Sequence, residues 1–115
     1  MLFRSVRRNP SLSREEFLRY WLDEHGPLVR SLRESVPSMV RYVQSHTLDG
    51  VDAGGAARGA GEPYDGITEV WLAGDTPPEK AEASRAAGAH LLQDESTFID
   101  FARSTLFLTR EHTIF

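Results

Sequence analysis

The sequence predicts one small α+β domain with its elements in the order β-α-β-β-α-β, the split βαβ pattern of ferredoxin-like folds. Three observations carry this expectation. A capping box at Ser13 and Glu16 starts a first helix, strand-type alternation stands on both sides of a Gly/Ala-rich segment, and an Ala-rich second helix leads into a final apolar stretch. The chain has 115 residues, enough for one domain over 1–115. A domain of this size takes about two-thirds of its unfolded surface out of water, which suffices for a core without staples.

Taken in order, Leu2 to Arg7 reads as a short strand ended by Asn9-Pro10. Ser13 and Glu16 form the capping box, and Leu12 with Phe17 occupies the positions of a hydrophobic staple, so a helix begins at Arg14. Its apolar face carries Phe17, Trp21, His25 and Leu28, which places a histidine on the stripe that faces the core. Pro27 disfavours helical geometry at Gly26, so a break or kink is expected there, with His25 at the last turn beside carbonyls that lack amide partners. Those carbonyls favour an imidazolium and burial by Phe17 and Trp21 opposes it.

Pro37 closes this segment, and Met39 to Leu48 reads as a strand. Val40, Tyr42, Gln44 and His46 fall on one face, and Arg41, Val43, Ser45 and Thr47 on the other. Residues 49–63, DGVDAGGAARGAGEP, have too few large side chains to order themselves and read as a flexible loop. A third strand runs from Ile67 to Leu72. Thr76 and Glu79, with Pro77 between them, read as a second capping box ahead of the Ala-rich helix. Asp94 is expected to cap a separate last turn, Glu95 to Arg103, and Thr105 to Ile114 supplies the last strand.

Composition narrows the functional classes. The formal net charge is −4, unfavourable for nucleic acid or anionic lipid, although residues 1–41 hold eight arginines against five acids. Those arginines are dispersed and no base-stacking aromatic motif accompanies them, so no nucleic-acid partner is expected. The chain has no cysteine, hence no disulfide framework or thiolate metal site. Neither a signal peptide nor a membrane span is legible, and the default reading is cytoplasmic without membrane association. No HExxH or His-x-His spacing points to a metal, and GGAARGAG does not follow a strand and open a helix as a dinucleotide loop would, so no cofactor is expected.

Three stretches, SREEFLRYWLDEHGPLV, MVRYVQSHTL and DESTFIDFARSTLFLTREH, resemble the EthD domain, a family within the dimeric α+β barrel superfamily, and YDGITEVWL is also similar. The run from Phe17 through Trp21 to His25-Gly26-Pro27 is the most specific part, supported by Asp94, Glu95, Phe98 and Asp100. The resemblance implies a homodimer in which two sheets join into a barrel with the helices outside. It also implies a ligand pocket between each protomer's own sheet and helices. Similar proteins act as cyclases, dehydratases or decarboxylases on polyketide-derived aromatic intermediates, and distant relatives include an isomerase and cofactor-free monooxygenases. Their shared chemistry is proton movement beside a carbonyl or phenol, and fold alone does not choose among them.

The expected activity is therefore a cofactor-independent lyase, cyclase or isomerase step on a small aromatic or polyketide-like oxygenated metabolite. His25 is the candidate general acid or base, because imidazole gives and accepts protons near neutrality. A buried histidine satisfying a backbone carbonyl is the structural alternative. His46 is a candidate for holding a substrate oxygen or pairing with His25, and Asp100 matches a late acidic position of the family, with a salt bridge to a first-helix arginine as its alternative. Phe17, Trp21, Tyr42, Gln44, Trp71 and Phe98 are candidate substrate-binding residues, although aromatic stripes at these spacings also build cores. A non-catalytic dimeric carrier or accessory protein and a cofactor-free monooxygenase are the alternative functions.

Overall fold

A computed structural model describes all 115 residues as a four-stranded antiparallel sheet with helices on one face. The strands are β1 (Leu2–Val6), β2 (Met39–His46), β3 (Gly66–Leu72) and β4 (Thr105–Leu108), in the order β2-β3-β1-β4. The first crossover contains α1 (Arg14–Tyr20) and α2 (Gly26–Ser31), and the second contains α3 (Ala81–Phe98). This is the ferredoxin-like arrangement that the element order predicts. No helix is long and apolar enough to cross a membrane.

The Ser13 box forms as expected. The Ser13 hydroxyl accepts from the Glu16 amide at 3.1 Å, and the Glu16 carboxylate accepts from the Ser13 amide at 3.3 Å. Leu12 packs against the core cluster that contains Phe17, as a staple requires. The expected break at Gly26 does not occur. Trp21–His25 instead form a π-helical turn joining α1 to α2, in which the Gly26 amide donates to the Trp21 carbonyl while Gly26 keeps helical angles. Pro27 has no amide to offer the preceding turn, and the chain accommodates this by widening one turn rather than by stopping.

Three other expectations are corrected. Thr76 and Glu79 make no capping box: Pro78–Lys80 form a 3-10 turn, and α3 starts after Lys80 without a side-chain cap. Asp94 caps nothing, since α3 runs without interruption to Phe98, and only Phe101–Arg103 form a separate 3-10 turn. The last strand, expected to reach Ile114, ends at Leu108; just past it the Thr109 amide donates to the Met1 carbonyl at 2.8 Å, and the following residues join no strand.

Register assigns the two faces. Tyr42, Gln44 and His46 pair with Val70, Thr68 and Gly66, while Leu2, Arg4 and Val6 pair with the same three β3 residues, so these side chains share the helix-covered face. Phe3, Ser5, Val43, Ser45, Ile67, Glu69, Trp71 and Phe107 occupy the other face, where the Phe3 and Phe107 rings stack at 5.7 Å. The core lies between helices and sheet and is built by Val6, Phe17, Trp21, Phe98 and Ile99.

Gly66 is where helix and sheet come closest. A Cβ there would lie 2.5 Å from Trp21 Cζ3 and 2.6 Å from the Ser45 carbonyl oxygen. The backbone oxygen cannot swing aside, and Trp21 is 1 % exposed with no room to retreat. Gly66→Ala is expected to cost about 1–3 kcal/mol or more through overpacking, read as a lowered urea midpoint. Gly88→Ala, with open space around its Cβ, serves as the control and should not destabilise; equal midpoints for Gly66→Ala and the parent chain would contradict the close approach.

Candidate active site

His25 leaves the π-helical turn toward α3 and is 3 % exposed. Its ring packs on Phe98 with centroids 5.1 Å apart. Nδ1 lies 2.8 Å from the Asp94 carboxylate, which also accepts from the Tyr20 hydroxyl. An ionised carboxylate can only accept, so this contact places a proton on Nδ1 and leaves Nε2 to carry either a lone pair or a second proton. Nε2 makes no hydrogen bond, its nearest charged neighbour being Glu95 at 4.0 Å. No fully buried side-chain polar atom in the protein lacks a partner, so Nε2 keeps contact with space that a water molecule can reach. Glu95 is itself held by Arg4, reaching up from β1.

Asp94 was not expected in this role. It lies four residues before Phe98 on α3, so the carboxylate and the core ring share one helix face. That spacing, within the DExxFxD segment, is the signal that could have revealed it. The bond to Asp94 raises the Tyr20 hydroxyl above its ordinary pKa, with burial adding to the effect. The carbonyl environment expected for His25 is absent, because the helix does not end there: the Trp21 carbonyl accepts from the Gly26 amide and, at 2.8 Å, from the Gln44 side chain.

A second polar chain runs along β2. Gln44 donates to the Tyr42 hydroxyl oxygen at 3.2 Å, and its amide oxygen is 3.0 Å from His46 Nε2. The His46 ring stacks on Trp21 with centroids 4.7 Å apart and planes 13° from parallel. His25 and His46 therefore do not pair: one is bound to Asp94, the other to Gln44. Burial raises the Tyr42 hydroxyl, moderated by its hydrogen bonds, and keeps this phenol protonated.

A cleft of about 620 Å³ opens between α2 and β2 and is lined by Leu22, Gly26, Pro27, Val29, Met39, Val40, Tyr42, Gln44 and three arginines. Of the expected binding residues, Tyr42 and Gln44 line it. Phe17, Trp21 and Phe98 do not; they are solid core, because their rings fill the space directly beneath the helices. His25 is likewise outside the lining, facing α3 instead. Trp71 lies on the opposite sheet face under the Arg41 guanidinium, 4.5 Å from its ring centre. Asp100 is also remote from His25: its amide donates to the Arg7 carbonyl at 2.9 Å, and its carboxylate is 3.9 Å from Arg103, the arginine it meets in place of one from the first helix. His90 and His112 are exposed. No group of three or more His, Asp or Glu side chains is gathered so as to hold a metal ion.

The fold and this placement of polar groups define a ferredoxin-like α+β protein with a carboxylate-held histidine between its helices. Residues 9–102 match the EthD domain, and the chain belongs to that family. A dimeric ferredoxin-like protein of unknown function from Thermobifida fusca is similar in structure at 15 % identity, with a TM-score of 0.55 over 92 % of this chain and 84 % of that one. HapK from Hahella chejuensis is similar at 13 % identity, with a TM-score of 0.56 over 97 % of this chain and 93 % of that one. No curated protein matches significantly by sequence.

Burial holds the His46 imidazole below its usual 6.5, so the unfolded chain takes up a proton at a higher pH than the folded one. The stability that depends on neutral His46 is complete above 6.5 and is lost as pH falls from there toward the folded value. The urea midpoint of the parent chain should therefore drop more than that of His46→Gln between about pH 7.5 and pH 5. Parallel curves for the two proteins would show that His46 is not desolvated.

Proposed function

We propose that this chain is a cofactor-independent acid–base enzyme of the lyase, cyclase or isomerase kind, acting on a small, largely apolar, oxygenated molecule. The observation that supports it most is the state of His25: Nδ1 is fixed by Asp94, while Nε2 makes no hydrogen bond within the protein. A histidine held in this way is oriented for proton transfer, because the carboxylate sets the tautomer and stabilises the imidazolium once Nε2 has taken a proton. Tyr20 shares the carboxylate and limits its rotation. The Arg4–Glu95 pair sets a fixed acceptor and a fixed cation beside Nε2. The tight core around Phe98 limits water at the ring.

The reaction class follows from what an imidazole can do alone. It can remove a proton from carbon next to a carbonyl and return it to oxygen or to another carbon, the common step of enolisation, cyclisation and dehydration. In the test, aryl β-diketones in deuterium oxide are followed by NMR for exchange at the carbon between the carbonyls. The parent chain should accelerate exchange over His25→Gln by about 100-fold or more. Asp94→Asn should reduce it less; both variants lower the melting temperature by loosening α3 from the first crossover, so exchange is compared well below it, on folded protein. Equal exchange by the parent chain and His25→Gln would remove the catalytic reading.

A non-catalytic ligand carrier is the second reading, favoured by one observation: the large cleft opens beside Tyr42 and Gln44 and does not include His25 in its wall. A carrier would bind its guest there and show no exchange above background.

In either case we propose a homodimer formed through the open sheet face. Phe107 is half-exposed, with Phe3 stacked on it and Trp71 farther across the same face, which no helix covers. The Thermobifida protein is described as dimeric. Phe107→Asp should shift the sedimentation coefficient from dimer to monomer, whereas Leu92→Asp, exposed on α3, should leave it unchanged. A parent chain that sediments as a monomer would refute the assembly.

A further inference from the structure

The cleft between α2 and β2 has an apolar wall and a cationic rim. Leu22, Pro27, Val29, Met39 and Val40 supply the wall, Arg30 and Arg33 the charge, and no Asp or Glu lines it. Neither of these two guanidiniums takes part in any ion pair of the protein, whereas that of Arg41 is turned away onto Trp71. The smaller, polar cavity near β1 also contains arginines, but they are already engaged: Arg7 donates to the Glu62 and Pro63 carbonyls, and Arg8 is bound to Asp65 at 2.6 Å. In a chain of net charge −4, two unpaired cations at one cleft are a local reversal of sign.

Local backbone geometry shapes the apolar wall. The β2–β3 register shifts between Met39 and Arg41, so Val40 is the extra residue of a bulge on an edge strand. Val40 borders the cleft beside Met39 and Tyr42, while the Arg41 guanidinium lies over Trp71 on the opposite face. Tyr42 adds a neutral donor. Its oxygen accepts from Gln44, and its own hydroxyl proton has no acceptor within the protein.

We infer that this cleft binds a small molecule with an apolar body and an anionic oxygen group, a carboxylate or a phosphate. The guanidiniums meet the anion with paired N–H donors, the aliphatic wall covers the body, and Tyr42 donates to a second oxygen. A volume of about 620 Å³ suits a guest of metabolite size. This deepens the carrier reading above by naming the charge of its guest, and it rests on the cleft being that guest's site.

Three probes of matched shape test it by calorimetry: 2-naphthoate, 2-naphthyl phosphate and the neutral 2-naphthamide. At least one anion should bind about 10-fold more tightly than the amide, and the double variant Arg30→Gln, Arg33→Gln should erase that preference without weakening the amide. Whichever anion binds more tightly identifies the group. Equal affinity for amide and anions, a preference that survives the double variant, or no binding of any probe would overturn the inference. The exchange assay at His25 requires neither arginine, so failure here and failure of the acid–base reading are told apart.

Discussion

The contact of Trp21 with Gly66 is the constraint on which the rest of the molecule depends. An indole that close to a strand backbone fixes the height of the first crossover above the sheet, and only glycine permits it. The same indole covers His46, and its carbonyl receives both the π-turn amide and the Gln44 side chain. Helix depth, strand polarity and the widened turn are therefore settled at one residue. Displacing Trp21 would release His46 to solvent and disturb the turn that aims His25.

The widened turn has a chemical consequence. It carries His25 to α3 rather than toward β2, which separates the imidazole from the polar row on the strand. Two polar systems result, one between helices and one between helix and sheet, with core rings between them. Burying a charge-bearing group such as Asp94 is costly unless its oxygens are occupied, and Tyr20 and His25 occupy them. The arrangement also braces α3 against the first crossover, so the dyad serves the architecture as well as any chemistry.

Much of the fold was legible in the sequence because it rests on local rules. The Ser13 box, the alternation through Tyr42, Gln44 and His46, and the stripe bearing Phe17, Trp21 and His25 all depend on near neighbours in the chain, and the structure keeps them. What escaped depends on tertiary context. A proline after glycine reads equally as a stop or as a widened turn, and the packing of Trp21 selects the second. Asp94 looks like a cap until a histidine sixty-nine positions earlier claims it. The Thr76 box lost to a 3-10 turn beginning at Pro78, and the last strand pairs with β1 only over Thr105–Leu108. Aromatic residues at the right spacing could build either a core or a pocket wall, and Phe17, Trp21 and Phe98 went to the core.

The division between a dense centre and a cleft at the sheet edge bears on how such a protein can diverge. Leu22, Val40, Arg30, Arg33 and Arg41 are exposed, so exchanging them costs little folding free energy. His25, Phe98 and Gly66 have no such latitude. The rim can thus drift through near-neutral substitutions while the dense centre stays fixed, so descendants of one scaffold can differ at the edge and keep the same interior.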